Sequence, residues 1–216
     1  MDAKQRILDA ADQLFGEVGL DAATTRAIAE RSGANKALIH YHFTTKDELF
    51  GAVLDRYYDK LAAALGPALA TEGSLRQRLV GVVDAYVDFL AGHRGFFRIV
   101  QREIAGGRHV DRIAEHMLPL FRAGVALLTQ AYPATRQGAL AAPSLLVSFY
   151  GMVATHFGYA PVVARLIGAE PLSPEGLLHH KRHLARMVDL MLAALEAETQ
   201  APAPAPPRNG ARRRQT

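Results

Sequence analysis

Apolar residues recur three and four positions apart along most of the chain. Residues 2 to 18 place Ile7, Ala10, Ala11, Leu14, Phe15 and Val18 on one stripe, which predicts an amphipathic helix stopped by Gly19. Thr24 then caps a short helix to about Ser32, with Ile28 and Ala29 facing inward and Gly33 turning the chain. Asn35 caps a third helix, about 36 to 42. Its Ile39, with Phe43 four positions on, anchors it, which leaves Lys36, Ala37, His40 and Tyr41 to solvent. Thr45-Lys46-Asp47-Glu48 reads as a capping box, with Thr45 at N-cap and Glu48 at N3. It opens a long fourth helix through Leu49, Val53, Leu54 and Tyr57 that Gly66-Pro67 is expected to end or kink.

The helical period continues from Ser74 to about Leu90, Gly95 to about Ile104, Asp111 to about Ala131, Pro143 to about Leu166, and Ser173 to about Glu198. Ser173-Pro174-Glu175 is a strong start for the last, whose Leu177, Leu184, Val188, Met191 and Leu195 form one apolar stripe. Nothing alternates with period two over a strand length, so the fold class is all-α. From residue 200 the chain turns into a Pro- and Arg-rich stretch that predicts an extended, disordered tail.

Composition narrows the reading. Half of the 216 residues are apolar, as in an ordinary globular chain, and the absence of cysteine excludes disulfides, thiolate metal sites and a cysteine nucleophile. The net charge of +4 disappears once Arg208, Arg212, Arg213 and Arg214 are removed, so any argument for an anionic partner has to come from particular residues in the body. The first residues lead into an amphipathic pattern rather than a signal peptide, which points to the cytoplasm. Gly138 to Ala164 carries no Asp, Glu, Lys or Arg, yet its prolines, serines and His156 favour a buried helix over a membrane span.

Two short helices joined through Ser32-Gly33-Ala34 have the size and turn chemistry of a helix-turn-helix, with Leu14 and Phe15 of the leading helix as core partner. The stretch "ILDAADQLFGEVGLDAATTRAIAERSGANKALIHYHFTTKDELF", residues 7 to 50, resembles the DNA-binding domain of the TetR family of transcriptional regulators. The resemblance rests on Ile7, Ala10, Ala11, Leu14, Phe15, Gly19, Thr24, Ile28, Ala29, Gly33, Lys36, His42, Phe43, Lys46 and Leu49. It departs at Ile39-His40, where the family pattern has Leu-Tyr and this chain brings its aromatic one place later as Tyr41. Ala27 also stands where an acidic residue often completes a capping box.

The residue chemistry agrees. Phosphates are met by cations beside free helix-terminal amides, and Thr24 with Arg26, Asn35 with Lys36, and Thr45 with Lys46 bring three such ends together. Base edges need short side chains and forward donors, which suits Lys36, Ala37, Leu38 and Tyr41, with Arg26, His40 and His42 beside them. Metal is the alternative for the histidines. His40 and His42, two positions apart, point to different sides of a helix; His179, His180 and His183 have workable spacing but no carboxylate or cysteine completing a set, so no metal site and no cofactor is assigned.

The family resemblance implies residues 1–50 as the DNA-binding domain and 51–199 as a helical ligand-binding and dimerisation domain. A single helix-turn-helix reads few base pairs, so two copies across a two-fold axis are expected on an inverted-repeat operator. The last two long helices, through Leu145, Phe149, Met152, Leu184, Val188, Met191 and Leu195, are the expected homodimer face. Phe89, Phe96, Phe97, Val100, Met117, Phe121 and Phe149 are candidates to line a pocket for a small-molecule effector. No nucleotide-binding or hydrolase fingerprint occurs, and the expectation is a regulator, a repressor released by its ligand, rather than an enzyme. The rivals are a helical metal-dependent enzyme and a protein-interaction module.

Overall fold

A computed structural model describes residues 2–200; the predicted tail and its arginines lie outside the described residues. The elements are α1 (Ala3–Ala22), α2 (Thr25–Ser32), α3 (Lys36–His42), α4 (Lys46–Ala70), α5 (Leu75–Gly92), α6 (Arg94–Ala105), α7 (Val110–Ala131), a 3₁₀ turn at Pro133–Arg136, α8 (Ala142–Gly158), α9 (Ala160–Ile167) and α10 (Pro174–Gln200). Among the described residues there is no strand, so the all-α fold class holds.

The stripe of α1 buries Ile7, Leu8, Ala10, Ala11, Leu14 and Phe15 against α2, α4 and α6. Val18, expected in that stripe, is exposed at the kink, and the stripe returns to the core after it with Leu20 and Ala23. Gly19 breaks α1 as expected: it stands at φ 86°, ψ 170°, a conformation that a residue with a Cβ rarely adopts, and a short helical turn to Ala22 follows the kink. The backbones of α1 and α6 meet so closely at Gly16 and Gly95 that a Cβ on Gly16 would stand 3.3 Å from the Gly95 Cα.

α4 runs unbroken across position 50 and on through Gly66-Pro67 to Ala70. The expected stop fails because Pro67 lies in the last turn, where the missing N–H removes one hydrogen bond and little helix remains to distort. One apolar cluster extends from Ile7 in α1 to Leu184 in α10, so α1–α3 share their core with the helices that follow.

The long helix expected from Pro143 to Leu166 is two helices, α8 and α9, bent by 85° at Tyr159. Pro161 has no N–H to continue the ladder and suits the first turn of a new helix. Among the described residues no single helix is long and apolar enough to cross a membrane; α8 and α9 meet that test only as a bent pair.

The candidate nucleic-acid interface

Each helix start in α2–α4 is held by a side-chain cap. Thr24 Oγ1 accepts from the Ala27 amide at 3.1 Å, Asn35 Oδ1 from the Leu38 amide at 2.8 Å, and Thr45 Oγ1 from the Glu48 amide at 3.0 Å. The return arm of the third box lands one residue early: Glu48 Oε2 accepts from Thr44 N at 2.8 Å, not from Thr45. Gly33 turns between α2 and α3 at φ 65°, and the Arg6 guanidinium donates to the Ser32 carbonyl at that turn.

α3 therefore has a fixed orientation. Ile39 is buried at 1% exposure and Phe43 closes the C-terminal end, with Lys4 Nζ over its ring at 5.8 Å. Lys36, Ala37, His40 and Tyr41 all face solvent, at positions one and four apart that make a single helical face. Tyr41 is 81% exposed, and its ring rests edge-on against His42 at 5.1 Å. Leu38 and His42 are only half-exposed, since Leu38 packs against the core. Thr24, Arg26 and Asn35 lie open, and Arg26 Nε reaches Glu30 at 2.9 Å in a solvated pair.

Lys46 differs from the expectation of a free phosphate contact. Its ammonium donates to the carbonyls of Leu20 at 2.8 Å, Asp21 at 3.3 Å and Ala23 at 3.3 Å, filling the open C-terminal carbonyls of α1. Lys4 was missed in the sequence because it lies on the polar side of α1, where only tertiary packing brings it beside Phe43.

α1 is fastened to the body at both ends. Arg56 of α4 pairs with Asp9 at 2.5 Å and Asp12 at 3.3 Å, and the Tyr57 hydroxyl donates to Asp12. Burial pushes the Asp12 carboxyl up despite those donors. At the other end, Arg108 Nη1 donates to Asp21 at 2.7 Å, and the hydrogen bond from Arg108 holds that carboxyl below its ordinary range. Glu103, buried at 1%, accepts from Arg108 at 3.5 Å and pairs with His109 Nδ1 at 2.9 Å.

Behind this unit, α4 to α8 and α10 line an apolar cavity of about 170 Å³ that is partly open to solvent. Of the residues expected around an effector, Phe96, Phe97, Val100, Met117, Phe121 and Phe149 line this cavity, and Phe89 does not. Phe89 is turned instead onto His93, with the rings stacked at 4.2 Å. The expected dimer residues also need correcting. Leu184, Val188 and Leu195 are 0%, 1% and 2% exposed within the single chain, because α10 packs its stripe against α5 and its neighbours. Leu145, Phe149, Val188 and Met191 face the cavity, while Met152 borders a separate crevice with His156 and His180. The large apolar residues left exposed on α8 to α10 and at their junction are Val147, Tyr159, Val162, Leu166, Ile167, Leu178 and Leu190.

Known proteins match this arrangement. Residues 7–53 fit the family model of bacterial regulatory proteins of the tetR family. The HTH-type transcriptional activator FasR of Mycolicibacterium smegmatis is 35% identical over 99 residues, 46% of this chain and 45% of that protein. The HTH-type transcriptional repressor ComR of Escherichia coli is 43% identical over 56 residues, 26% of this chain and 27% of its own. Each match thus spans less than half of the relative's length. Among solved structures, a regulatory protein in the tetR family from Rhodococcus is similar with a TM-score of 0.69 at 21% identity, over 90% of this chain and 97% of that one. The regulator FadR of Bacillus subtilis, solved with stearoyl-CoA, has a TM-score of 0.68 at 14% identity, over 85% and 96%. With its capped, solvent-facing α3 and the all-helical body behind it, the chain carries over residues 7–53 the region that the family model of bacterial regulatory proteins of the tetR family describes, on a fold similar to solved members of that family.

Proposed function

We propose that the chain is a cytoplasmic, ligand-responsive transcriptional regulator that binds an inverted-repeat DNA operator as a homodimer and represses until a small molecule releases it. Residues 1–50 are the reading unit, 51–199 the ligand-binding and dimerisation body. The observation that carries this reading is the exposed face of α3, Lys36, Ala37, His40 and Tyr41, presented by a helix with a buried anchor and a capped start.

Thr24, Arg26, Asn35 and Lys36 supply phosphate contacts around the rim, and Tyr41, His40 and Ala37 meet base edges. Leu38 and His42 support that face from beneath. Lys46 acts chiefly as a clasp between α4 and α1. The dimer forms through the apolar residues that α8 to α10 leave exposed, Val147, Val162, Leu178 and Leu190 among them, rather than through the buried stripe of α10. Release follows from position: α4 and α6 wall the cavity at one end and hold α1 at the other, so a ligand that moves either helix changes the spacing of two paired α3 helices.

A gel shift with DNA from upstream of its own gene tests this. Salt-sensitive, sequence-specific binding that is lost in Lys36→Ala and Tyr41→Ala supports it; no specific binding by the intact dimer refutes it.

A further inference from the structure

The cavity is walled by 24 residues, and three of them alone carry a side-chain oxygen or nitrogen: Tyr58, Tyr86 and Tyr150. Among the described residues no Lys, Arg, His, Asp or Glu lines it. A carboxylate or ammonium taken inside would lose its hydration with no opposite charge to meet it, which costs several kcal/mol. The cavity therefore selects for a neutral occupant.

The polar end has a direction as well. Gln101 Nε2 donates to the Tyr150 hydroxyl oxygen at 3.1 Å, which leaves the Tyr150 proton to point elsewhere. Neither Tyr58 nor Tyr86 has a hydrogen-bond partner for its hydroxyl among the described residues. Burial, reinforced by the Tyr150 phenol, pushes the ionisation of both well above the usual tyrosine range, so all three remain O–H donors. Three donors face a cavity that offers them no acceptor.

Shape completes the description. α4 alone walls the space from Tyr58 to Leu69, about 16 Å of helix at 1.5 Å per residue. Leu69, Leu79, Leu128 and Met191 make the far end wholly apolar. The Tyr58 end is the one next to the reading unit, since the adjacent Tyr57 donates to Asp12 of α1.

We propose that the effector is an elongated, uncharged molecule with an apolar body and one hydrogen-bond-accepting oxygen, an ester-, thioester- or ketone-like carbonyl, seated among the hydroxyls of Tyr58, Tyr86 and Tyr150. This rests on the cavity being the effector site and specifies what that site takes. The carbonyl accepts from the phenols, and the chain fills the leucine-lined end. A free fatty carboxylate is excluded by the missing cation.

Calorimetric titration of the full chain with methyl dodecanoate, dodecanoate and dodecane at neutral pH tests it. The ester should bind about tenfold more tightly than dodecane, one to two hydrogen bonds' worth, and more tightly than the carboxylate by at least as much. Tyr86→Phe and Tyr150→Phe should each weaken the ester several-fold and leave dodecane unchanged. Equal binding of ester and carboxylate overturns the proposal, as does an ester affinity that the two variants do not alter, or a loss of all three ligands alike. If dodecane binds and the ester gains nothing, the cavity remains an effector site of another specificity. If none of the three binds, the cavity reading itself fails, while the gel shift with DNA still decides the regulator reading on its own.

Discussion

Lys46, the first residue of α4, reaches across 26 positions to the carbonyl of Leu20 at the end of α1, with Nζ and O 2.8 Å apart. Two further carbonyls, of Asp21 and Ala23, complete the clasp. The helix that walls the cavity and the helix that backs the reading unit are thereby joined at their ends by one ammonium. Replacing Lys46 with Met leaves those carbonyls with fewer donors and should cost about 1–2 kcal/mol in urea unfolding, with the m-value unchanged. A variant as stable as the parent would show that water serves the carbonyls equally well.

Tyr41 gives the opposite signature. Its side chain is 81% exposed and takes no part in the core, so Tyr41→Ala should shift stability by no more than about 0.5 kcal/mol. Operator affinity should fall about tenfold or more, the scale of one lost base contact. Thermal unfolding and gel shift on the same sample separate the two effects, and a parallel fall in both would make Tyr41 structural.

Gly19 is held at φ 86°, ψ 170°, and a Cβ there would stand 1.8 Å from Arg102 Nη1. Gly19→Ala should destabilise by about 1–3 kcal/mol through the backbone alone, even after Arg102 swings away. Chemical denaturation measures it. An unchanged midpoint would mean that α1 can straighten through this point without loss.

His180 predicts an acid limb. It is 8% exposed, its Nε2 has no partner, and its ring lies flat on His156 at 3.7 Å. Burial, then the nearby His156, His183 and His179, lowers its pKa from 6.5 to about 4. Between those values the unfolded chain binds a proton that the folded chain refuses, so stability falls as pH drops from 6.5 towards 4 and is fully present above 6.5. His180→Leu should flatten that stretch of a stability-against-pH curve, by up to about 3 kcal/mol at its foot. An acid limb of the same depth in the variant would place its origin elsewhere.

How much of this was legible beforehand depended on how far each interaction reaches along the chain. The caps at Thr24, Asn35 and Thr45 join neighbours three residues apart, so their residue types alone announce them. The exposed face of α3 follows from Ile39 and Phe43 and the helical period. The pocket wall was legible in its aromatics, apart from Phe89, whose turn onto His93 depends on packing that residue type does not reveal.

The misplacements have one physical source. An apolar stripe records that a helix face is buried and not what buries it, so Leu184, Val188 and Leu195 read equally well as an interface between copies and as one chain's interior. A lysine at a helix start records a charge and not its partner, which for Lys46 comes from 26 residues away. The bend at Tyr159 was written in Gly158 and Pro161, but apolar content on both sides masked it. The sequence by itself determined the helices, their starts and the outward face of α3, because those rest on contacts within a turn or two. Only the tertiary structure decided which apolar face meets a cavity, which charges clasp rather than reach out, and which three phenols share one space, because those rest on contacts between distant segments that no local period encodes.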